Sequence, residues 1–503
     1  MKKYLLVFIL FIAFSIIYLF YQLQLNEHNV LIDKKYFVSI DDKKFSLNGK
    51  EFYPIVVNYI ASLQTDGKDL WACPSYDYNT DTILTLTKDS CLNRLKADMN
   101  LIKQLGFNTV RIVGIGEEGV DEKNGEISIR VYIGNNSFTY IMLSDKESYR
   151  KYFDALEGMF KVINNAGLKA ILLIRVRPDI FTEEHLEKLA IRFRNNTTIM
   201  AYDLFNEPLY FDSLQRKKEE VYKITRRWHK IVKLNAPNQL VTIGLACLRE
   251  VFEWDPNIID VDFISFHPYE YEPEQVRNEM TWYNKYVQKP WIIGETAIPA
   301  DNDSVSYEEQ KAFARKTIKQ AYNCGASGYS WWQYKDVYWK EFHPSFMGVV
   351  NRNGETKTTN ENLIVYGTVK PMAEEIKKFD PLAKKDSCLC LDNYYNYSNG
   401  KACRIKGFLF DENNEPIEGG VILAWNQWWS HSYHTITKAD GSFEVLGTFP
   451  FYHWMASATR YSMVRGEVLP DTAKITNARI PTMNIGNLKV RKLSIPKWYH
   501  FNN

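Results

Sequence analysis

Between residues 52 and 332 the chain repeats one pattern eight times: a short run of β-branched and aromatic residues, in most cases followed by a longer stretch with helical spacing. The strand-like runs cover 52–59, 108–113, 169–176, 199–205, 239–245, 261–266, 290–295 and 328–332. The helical stretches cover about 92–105, 148–166, 182–194, 213–234, 272–287 and 307–323. In the first of these, Leu95, Met99, Ile102 and Leu105 recur at three- and four-residue intervals, and Gly106 supplies the stop. A helix between successive strands carries the chain back across the sheet and makes those strands parallel. Eight such units predict an α/β chain closed into a barrel, with its chemistry at the C-terminal strand ends.

Two of those ends carry a carboxylate. The apolar run 199–205 stops at Asn206-Glu207, and Pro208 bars the strand from continuing. The run from Pro290 likewise stops at Gly294-Glu295, 88 positions further on (295 − 207). Core packing does not explain a glutamate at the mouth of a buried strand, whereas a carboxylate pair brought together by the fold does. Such a pair suits cleavage of a glycosidic bond. One group, kept protonated by its surroundings, donates to the leaving oxygen, and the other attacks the anomeric carbon or activates water. His267 and Trp332 fall at other strand ends. The plainer alternatives are a surface acid for Glu207, a structural ion-pair partner for Arg111, a satisfied strand-end histidine for His267 and a core residue for Trp331.

The remaining segments read as follows. Residues 36–40 and 44–47 are short hairpin strands. The segment 114–145 is too long for an ordinary strand-to-helix loop, and its alternation at Ile127, Ile129, Val131 and Ile133 predicts a hairpin insert that shapes a cleft. Residues 380–400 are polar and rich in Tyr and Asn, which reads as a linker. Beyond them, runs at 403–410, 420–425, 434–437, 442–446 and 452–459, punctuated by turn residues, predict a small all-β sandwich. At the N-terminus, Lys2-Lys3 precede the almost unbroken apolar run 4–20, with no charge until Glu27. That pattern predicts an uncleaved signal anchor, its lysines in the cytoplasm and the rest of the chain outside; a cleaved signal is the alternative.

A net charge of +2 and the lack of a basic run with interleaved aromatics give no argument for nucleic acid. Aromatics make up 15% of the chain, which suits either a large core or flat faces on which sugar rings stack. Cys73 and Cys91 bracket a polar loop and are candidates to pair, as are Cys403 and one of Cys388 or Cys390. Cys247 and Cys324 sit in apolar sequence and read as buried thiols. No metal-ligand spacing is evident, so no metal or cofactor is expected.

Five segments carry a family resemblance: Leu105-Gly106-Phe107-Asn108-Thr109-Val110-Arg111, Phe205-Asn206-Glu207-Pro208, Phe266-His267-Pro268-Tyr269, Ile293-Gly294-Glu295 and Tyr329-Ser330-Trp331-Trp332. Together they resemble the cellulase and mannanase clan of retaining glycoside hydrolases, typified by family 5, over residues 35–380. The resemblance implies a (β/α)8 barrel and double displacement through a glycosyl-enzyme ester. It implies Glu207 as acid/base and Glu295 as nucleophile. Arg111 would lie beneath the nucleophile, Asn206 would bind the sugar 2-hydroxyl, His267 and Tyr269 would border the site, and Trp332, or Trp331 in a register shifted by one, would be the sugar platform. Family-5 enzymes commonly carry a histidine near the end of the third strand; Leu173-Ile174-Arg175-Val176-Arg177 has none, and Arg175 or Arg177 is the candidate replacement. The C-terminal segments Lys406-Gly407, Asn414-Glu415-Pro416 and 439–443 resemble carboxypeptidase-regulatory-like or Ig-like sandwiches.

The expected organisation is an anchor over 1–26, a barrel over 35–385, a linker over 386–400 and a β-sandwich over 401–503. The expected activity is hydrolysis of a poly- or oligosaccharide. Two alternatives stand beside it, a transglycosylase using the same site and a catalytically silent glycan-binding surface protein.

Overall fold

The computed structural model describes residues 32–78, 86–116, 119–121, 123–134, 137–269, 273–395, 400–468 and 480–496. The apolar run 4–20 lies outside them. Among the described residues no helix is long and apolar enough to cross a membrane.

The barrel strands are β1 (Ile55–Thr65), β2 (Thr109–Val113), β3 (Lys169–Leu173), β4 (Ile199–Asn206), β5 (Leu240–Leu245), β6 (Ile264–Phe266), β7 (Trp291–Ile293) and β8 (Tyr329–Trp331). They pair in parallel in chain order. A bridge between Ile292 and Gly328 links β7 to β8, and β8 pairs with β1 from Tyr329↔Ile55 onwards, closing the ring. Six helices cross between them: α1 (Lys88–Gln104), α2 (Lys146–Asn165), α3 (Ile180–Phe193), α4 (Lys218–Asn235), α5 (Pro273–Tyr286) and α6 (Tyr307–Asn323). The β5–β6 connection is a 3-10 turn, Leu248–Phe252, instead of a helix. The expected helix from 213 starts later, because a turn braced by Arg216 Nε to Asp212 Oδ2 at 2.6 Å precedes it.

Alternation along the strands sets up two layers inside the ring. Outward residues such as Val57, Tyr59, Val110, Ile112, Leu204 and Ile243 belong to the main core under the helices. Inward residues near the strand starts, Val56, Ile171, Ala201 and Ile292, form a separate apolar cluster with Val38 and Phe45 of the N-terminal hairpin, which plugs the bottom. One pleat further up, the inward positions become Asn58, Arg111, Asp203 and Ser265, all buried. The barrel is therefore apolar below and polar at its mouth, as a period of two along rigid strands requires.

The 114–145 insert forms the expected hairpin, Glu126–Gly134 against Ser137–Met142, and docks on the extension of β1 at Leu63↔Val131. Ile127, Ile129 and Val131 are buried while Ile133 is exposed.

Among its described residues the C-terminal region is all-β, with two strands more than expected. One sheet orders Ser442–Gly447, Cys403–Phe410 and Thr482–Lys489; the other orders Ser432–Ile436, Val421–Trp425, His453–Ser457 and Val464–Glu467. Strand Val421–Trp425 is buried on both faces. Val421, Leu423 and Trp425 join the barrel's core, and Ile422 and Ala424 join the C-terminal region's own core.

Polar contacts reinforce the junction. Lys218 Nζ, itself buried, donates to Asp255 Oδ2 at 2.9 Å, Ser457 Oγ at 3.0 Å and the Ala458 carbonyl at 2.9 Å. Gly419 has φ +76°, and a Cβ there would stand 2.3 Å from the Tyr286 ring. Replacing Lys218 with Met strands the fully buried Asp255 charge. The expected result is a loss of about 3 kcal/mol of stability, read as a lowered denaturant midpoint with catalytic parameters intact.

Of the expected linker, residues 380–395 form a strap on α5 and α6 more than a free tether. The Leu389 carbonyl accepts from Thr281 Oγ1 at 2.7 Å and from Gln320 Nε2 at 2.8 Å. The strap also corrects the cysteine pairing: Cys388 is bonded to Cys324 at the end of α6, with Cα atoms 4.5 Å apart. Cys403 faces the C-terminal core as a free thiol, and Cys73 and Cys91 are buried but unbonded.

Candidate active site

Arg111, the third residue of β2, sits opposite Asn58 of β1. Its guanidinium is 1% exposed and organises the mouth of the barrel. Nε donates to Asp203 Oδ2 at 2.8 Å, and Nη1 donates to Asn58 Oδ1 at 2.9 Å and to Glu295 Oε1 at 2.5 Å. Nη2 donates to Asn206 Oδ1 at 2.7 Å. One planar fork thus binds side chains from β1 and β4 and the residue just past β7, a task suited to fixed guanidinium geometry and not to the point charge of a lysine. Asn58 in turn donates to the carbonyls of Gly294 and Trp331 and to Ser330 Oγ, tying down the chain on either side of Glu295.

Glu207 follows β4 with φ 46° and ψ 67°, a left-handed conformation uncommon for a residue with a Cβ. Its amide is held by the Gly244 carbonyl at 2.8 Å, and its own carbonyl accepts from the amides of Tyr210 and Phe211 in the short helix beginning at Pro208. These contacts fix the backbone that aims its carboxyl at His267 Nδ1, 3.1 Å from Oε1. The same Nδ1 lies 3.6 Å from Glu295 Oε1, and Nε2 on the far edge of the ring is 3.2 Å from Ser265 Oγ. Tyr269 donates to Glu295 Oε2 at 3.2 Å.

The ring of His267 needs space that only glycine leaves. A Cβ on Gly244 would stand 2.5 Å from its Cε1, and one on Gly294 would stand 1.9 Å from Ser265 Oγ.

The two carboxyls sit in different surroundings. Burial pushes Glu207 up to about 7, with Arg111 opposing and the Asp203 charge reinforcing that rise. Burial likewise raises Glu295 above the ordinary carboxylate range, with the direct Arg111 contact opposing that rise and the Glu207 charge adding to it. Burial holds His267 down at about 4, so it is neutral at neutral pH. An oxygen of each glutamate and the facing His267 nitrogen all lie within 4.8 Å of one another. That spacing is close enough to share a cation, but the fixed charge at this point is the protein's own Arg111. A carboxyl raised to about 7 beside one bonded directly to a buried arginine offers a proton donor and a nucleophile side by side.

Of the expected site residues, Glu207, Glu295, Arg111, Asn206, His267 and Tyr269 converge on this network. Trp332 stands at the rim, half-buried, its amide bonded to the Thr296 carbonyl and its peptide bond to Gln333 cis. Trp331 is fully buried, donating Nε1 to the Met347 carbonyl at 2.8 Å. Arg175 is exposed beyond β3 and Arg177 faces Asp179 at 3.4 Å, so neither stands in the network around Glu295.

Asn58, Asp203 and Glu250 were not expected. The first two had a signal, a polar residue inside an otherwise apolar strand, which burial obliges to find a partner. Glu250 is buried in the Leu248–Phe252 turn, where burial raises it to about 8 and it accepts from the amides of Leu209 and Ala246.

No curated protein matches the chain. Among solved structures, GH5_18 from Streptomyces cattleya in complex with GlcNAc is 13% identical over 71% of this chain and 84% of its own, with a TM-score of 0.45. Bacteroides uniformis beta-glucuronidase 2, covalently bound to a cyclophellitol-6-carboxylate aziridine, is 13% identical over 90% of this chain, with a TM-score of 0.42. The chain spans only 48% of that glucuronidase's length. The model of the cellulase family, glycosyl hydrolase family 5, matches residues 74–335, just over half the chain. The chain belongs to the cellulase family, glycosyl hydrolase family 5.

Proposed function

We propose that the enzyme cleaves a β-linked poly- or oligosaccharide by double displacement, with Glu295 as nucleophile and Glu207 as acid/base. The observation that carries this reading is the pair itself: oxygens within 4.8 Å, one carboxyl raised to about 7 and the other bonded to a buried arginine. The separation is on the short side, as direct attack requires, since an inverting pair stands farther apart to admit water.

In the first step a Glu295 oxygen attacks the anomeric carbon while Glu207 gives its proton to the departing glycosidic oxygen. Glu207, now a carboxylate, then takes a proton from water as that water displaces Glu295 and frees the sugar. Arg111 and Tyr269 hold Glu295 in position. Asn206, fixed through Arg111, binds the sugar 2-hydroxyl, His267 borders both carboxyls, and Trp332 is the platform for the ring. In the same reading, residues 4–20 anchor the chain with the catalytic region outside the cytoplasm, and residues 401–503 are an Ig-like module.

The test is incubation of the purified protein with β-glucans, β-mannans, xylans and host-type glycans, with and without added sugar acceptors, and analysis of the products by mass. Release of shorter reducing sugars from one glycan supports the reading. Products lengthened by the acceptor would reassign the second step to transglycosylation, and turnover of none would sink the proposal.

The state of Glu207 sets the pH response. It acts as donor only while protonated, so kcat/KM is expected to fall as pH rises through about 7. Glu207→Gln is expected to abolish that basic limb along with most of the rate on substrates with poor leaving groups. A pH profile measured with an alkyl glycoside checks both.

A further inference from the structure

The rim beside Glu207 is built by two parts of the chain. Immediately after the acid/base, residues 208–215 and the Leu248–Phe252 turn form one side of a recess of about 250 Å³, and the C-terminal region forms the other. Tyr210, Leu214, Arg249 and Glu253 line it from the barrel, and Trp429 and Met455 from the C-terminal region. The recess is continuous with the catalytic loop: Pro208 and Leu209 are in its wall, and the Leu209 amide is bonded to Glu250, which also lines it.

Around it the protein exposes aromatic surface, with the Tyr210 hydroxyl accepting from Arg249 Nη2 at 2.9 Å. Tyr210 is 59% exposed, Trp429 52% and Trp428 78%. Phe211 is exposed next to Tyr210 as well. Aromatic side chains grouped in this way around a recess mark a binding surface.

The tryptophan loop is rigid. Asn426 Oδ1 accepts from the amides of Ser430 and His431, Asn426 Nδ2 donates to Ser430 Oγ at 2.8 Å, and the Asn426 carbonyl accepts from the Trp429 amide. Trp429 is held at φ +58°, a conformation uncommon for a bulky residue, with its ring edge-on to Trp425 at 4.2 Å. Trp425 is anchored in the core beneath it. An exposed indole held in a strained backbone by a fully bonded loop is prearranged for a ligand, and little freedom is lost on binding.

We infer that this recess is a leaving-group-side subsite, completed by the C-terminal region, which takes a pyranose residue of the glycan chain beyond the scissile bond. The inference rests on the acid/base assignment of Glu207. The group that protonates the leaving oxygen must stand on the leaving group's side, so the departing chain runs out past Glu207, towards this wall. The lining suits a sugar ring: apolar faces at Trp429 and Tyr210 for its C–H surfaces, and the charged groups of Arg249 and Glu253 for hydroxyls.

Two measurements on the full chain test it, using Trp429→Ala and Tyr210→Ala, with thermal unfolding to establish that each folds. The first compares hydrolysis of cellohexaose and mannohexaose with that of 4-nitrophenyl β-cellobioside and β-mannobioside, whose leaving group is too short to reach the recess. The second is retardation of the Glu295→Gln protein, with and without each substitution, in gels containing hydroxyethylcellulose or glucomannan. The subsite predicts a fall of about tenfold or more in kcat/KM on the hexaose, unchanged turnover of the nitrophenyl glycoside and weakened retardation. Equal losses on long and short substrates, or retardation that is absent or indifferent to both substitutions, would overturn it. Retardation that depends on Trp429 in a protein hydrolysing none of these probes would show a glycan-binding recess, but it would overturn its placement on the leaving-group side together with the hydrolytic reading. Should Trp429→Ala unfold, Tyr210→Ala, on the opposite wall of the recess, is read alone with the same two outcomes.

Discussion

Replacement of Glu295 by glutamine is expected to lower kcat by about 10⁴-fold or more while the protein folds and binds glycan as before. The substitution keeps the shape of the side chain and an oxygen for Arg111 Nη1, which now stands 2.5 Å from Oε1. It removes the negative charge that would form the ester with the sugar, and no neighbour can take its place. Glu207 is directed at the opposite partner, and Tyr269 donates to Glu295 without presenting a carboxylate. The azide response separates the two glutamates. With Glu207→Ala and an activated aryl glycoside, azide is expected to intercept the glycosyl-enzyme and give a β-glycosyl azide. With Glu295→Ala, azide attacks directly and gives the α anomer. Activity of Glu295→Gln within tenfold of the parent would end the assignment.

The second large effect is expected from Arg111→Lys. Lysine keeps the charge but has a single nitrogen in place of a fork that reaches Asp203, Asn58, Asn206 and Glu295. At least one buried carboxylate then loses its partner, at a cost of about 3–5 kcal/mol in stability. Catalysis is expected to fall by about 10²–10³-fold, because Asn206 and Glu295 lose their common support. The pH profile separates this from simple destabilisation. Glu295 must be ionised to act, so activity appears as pH rises through its titration. Arg111 opposes the upward push of burial on that carboxyl, and weakening the contact moves the acidic limb to higher pH. The basic limb, belonging to Glu207 at about 7, stays near its place, and the bell narrows. A variant that was only less stable would lose amplitude without moving the acidic limb.

The sequence exposed the barrel and its two glutamates for the same physical reason. Strands buried on both faces read as near-continuous apolar runs, and a charge at the end of such a run is conspicuous, as at Glu207 and Glu295. A charge within the run is harder to read. Asp203 looks like an interruption until the fold sets it 2.8 Å from Arg111, ninety-two residues earlier in the chain. Glu250 was hidden more completely, because a 3-10 turn has no periodic pattern to mark which residues face inward.

The cysteines show another limit. Cys324 reads as a buried thiol because its neighbours are apolar, and its bond to Cys388 depends on the path of the strap across α6, which local composition does not encode. In the C-terminal region, Trp425, Trp428 and Trp429 are equivalent as sequence. Strand alternation sends the first into the core, and the Asn426 turn leaves the other two exposed.

The central claim is that Glu295 becomes esterified to the sugar, and the most direct measurement is to trap that ester. The protein would be treated with a 2-deoxy-2-fluoro β-glycosyl fluoride of whichever sugar it hydrolyses, then analysed by intact mass and peptide mapping. The account predicts addition of one fluorosugar per chain, located on the peptide containing Glu295 and absent from Glu295→Gln. A label on Glu207, or full inactivation of hydrolysis with no residue labelled, would contradict it.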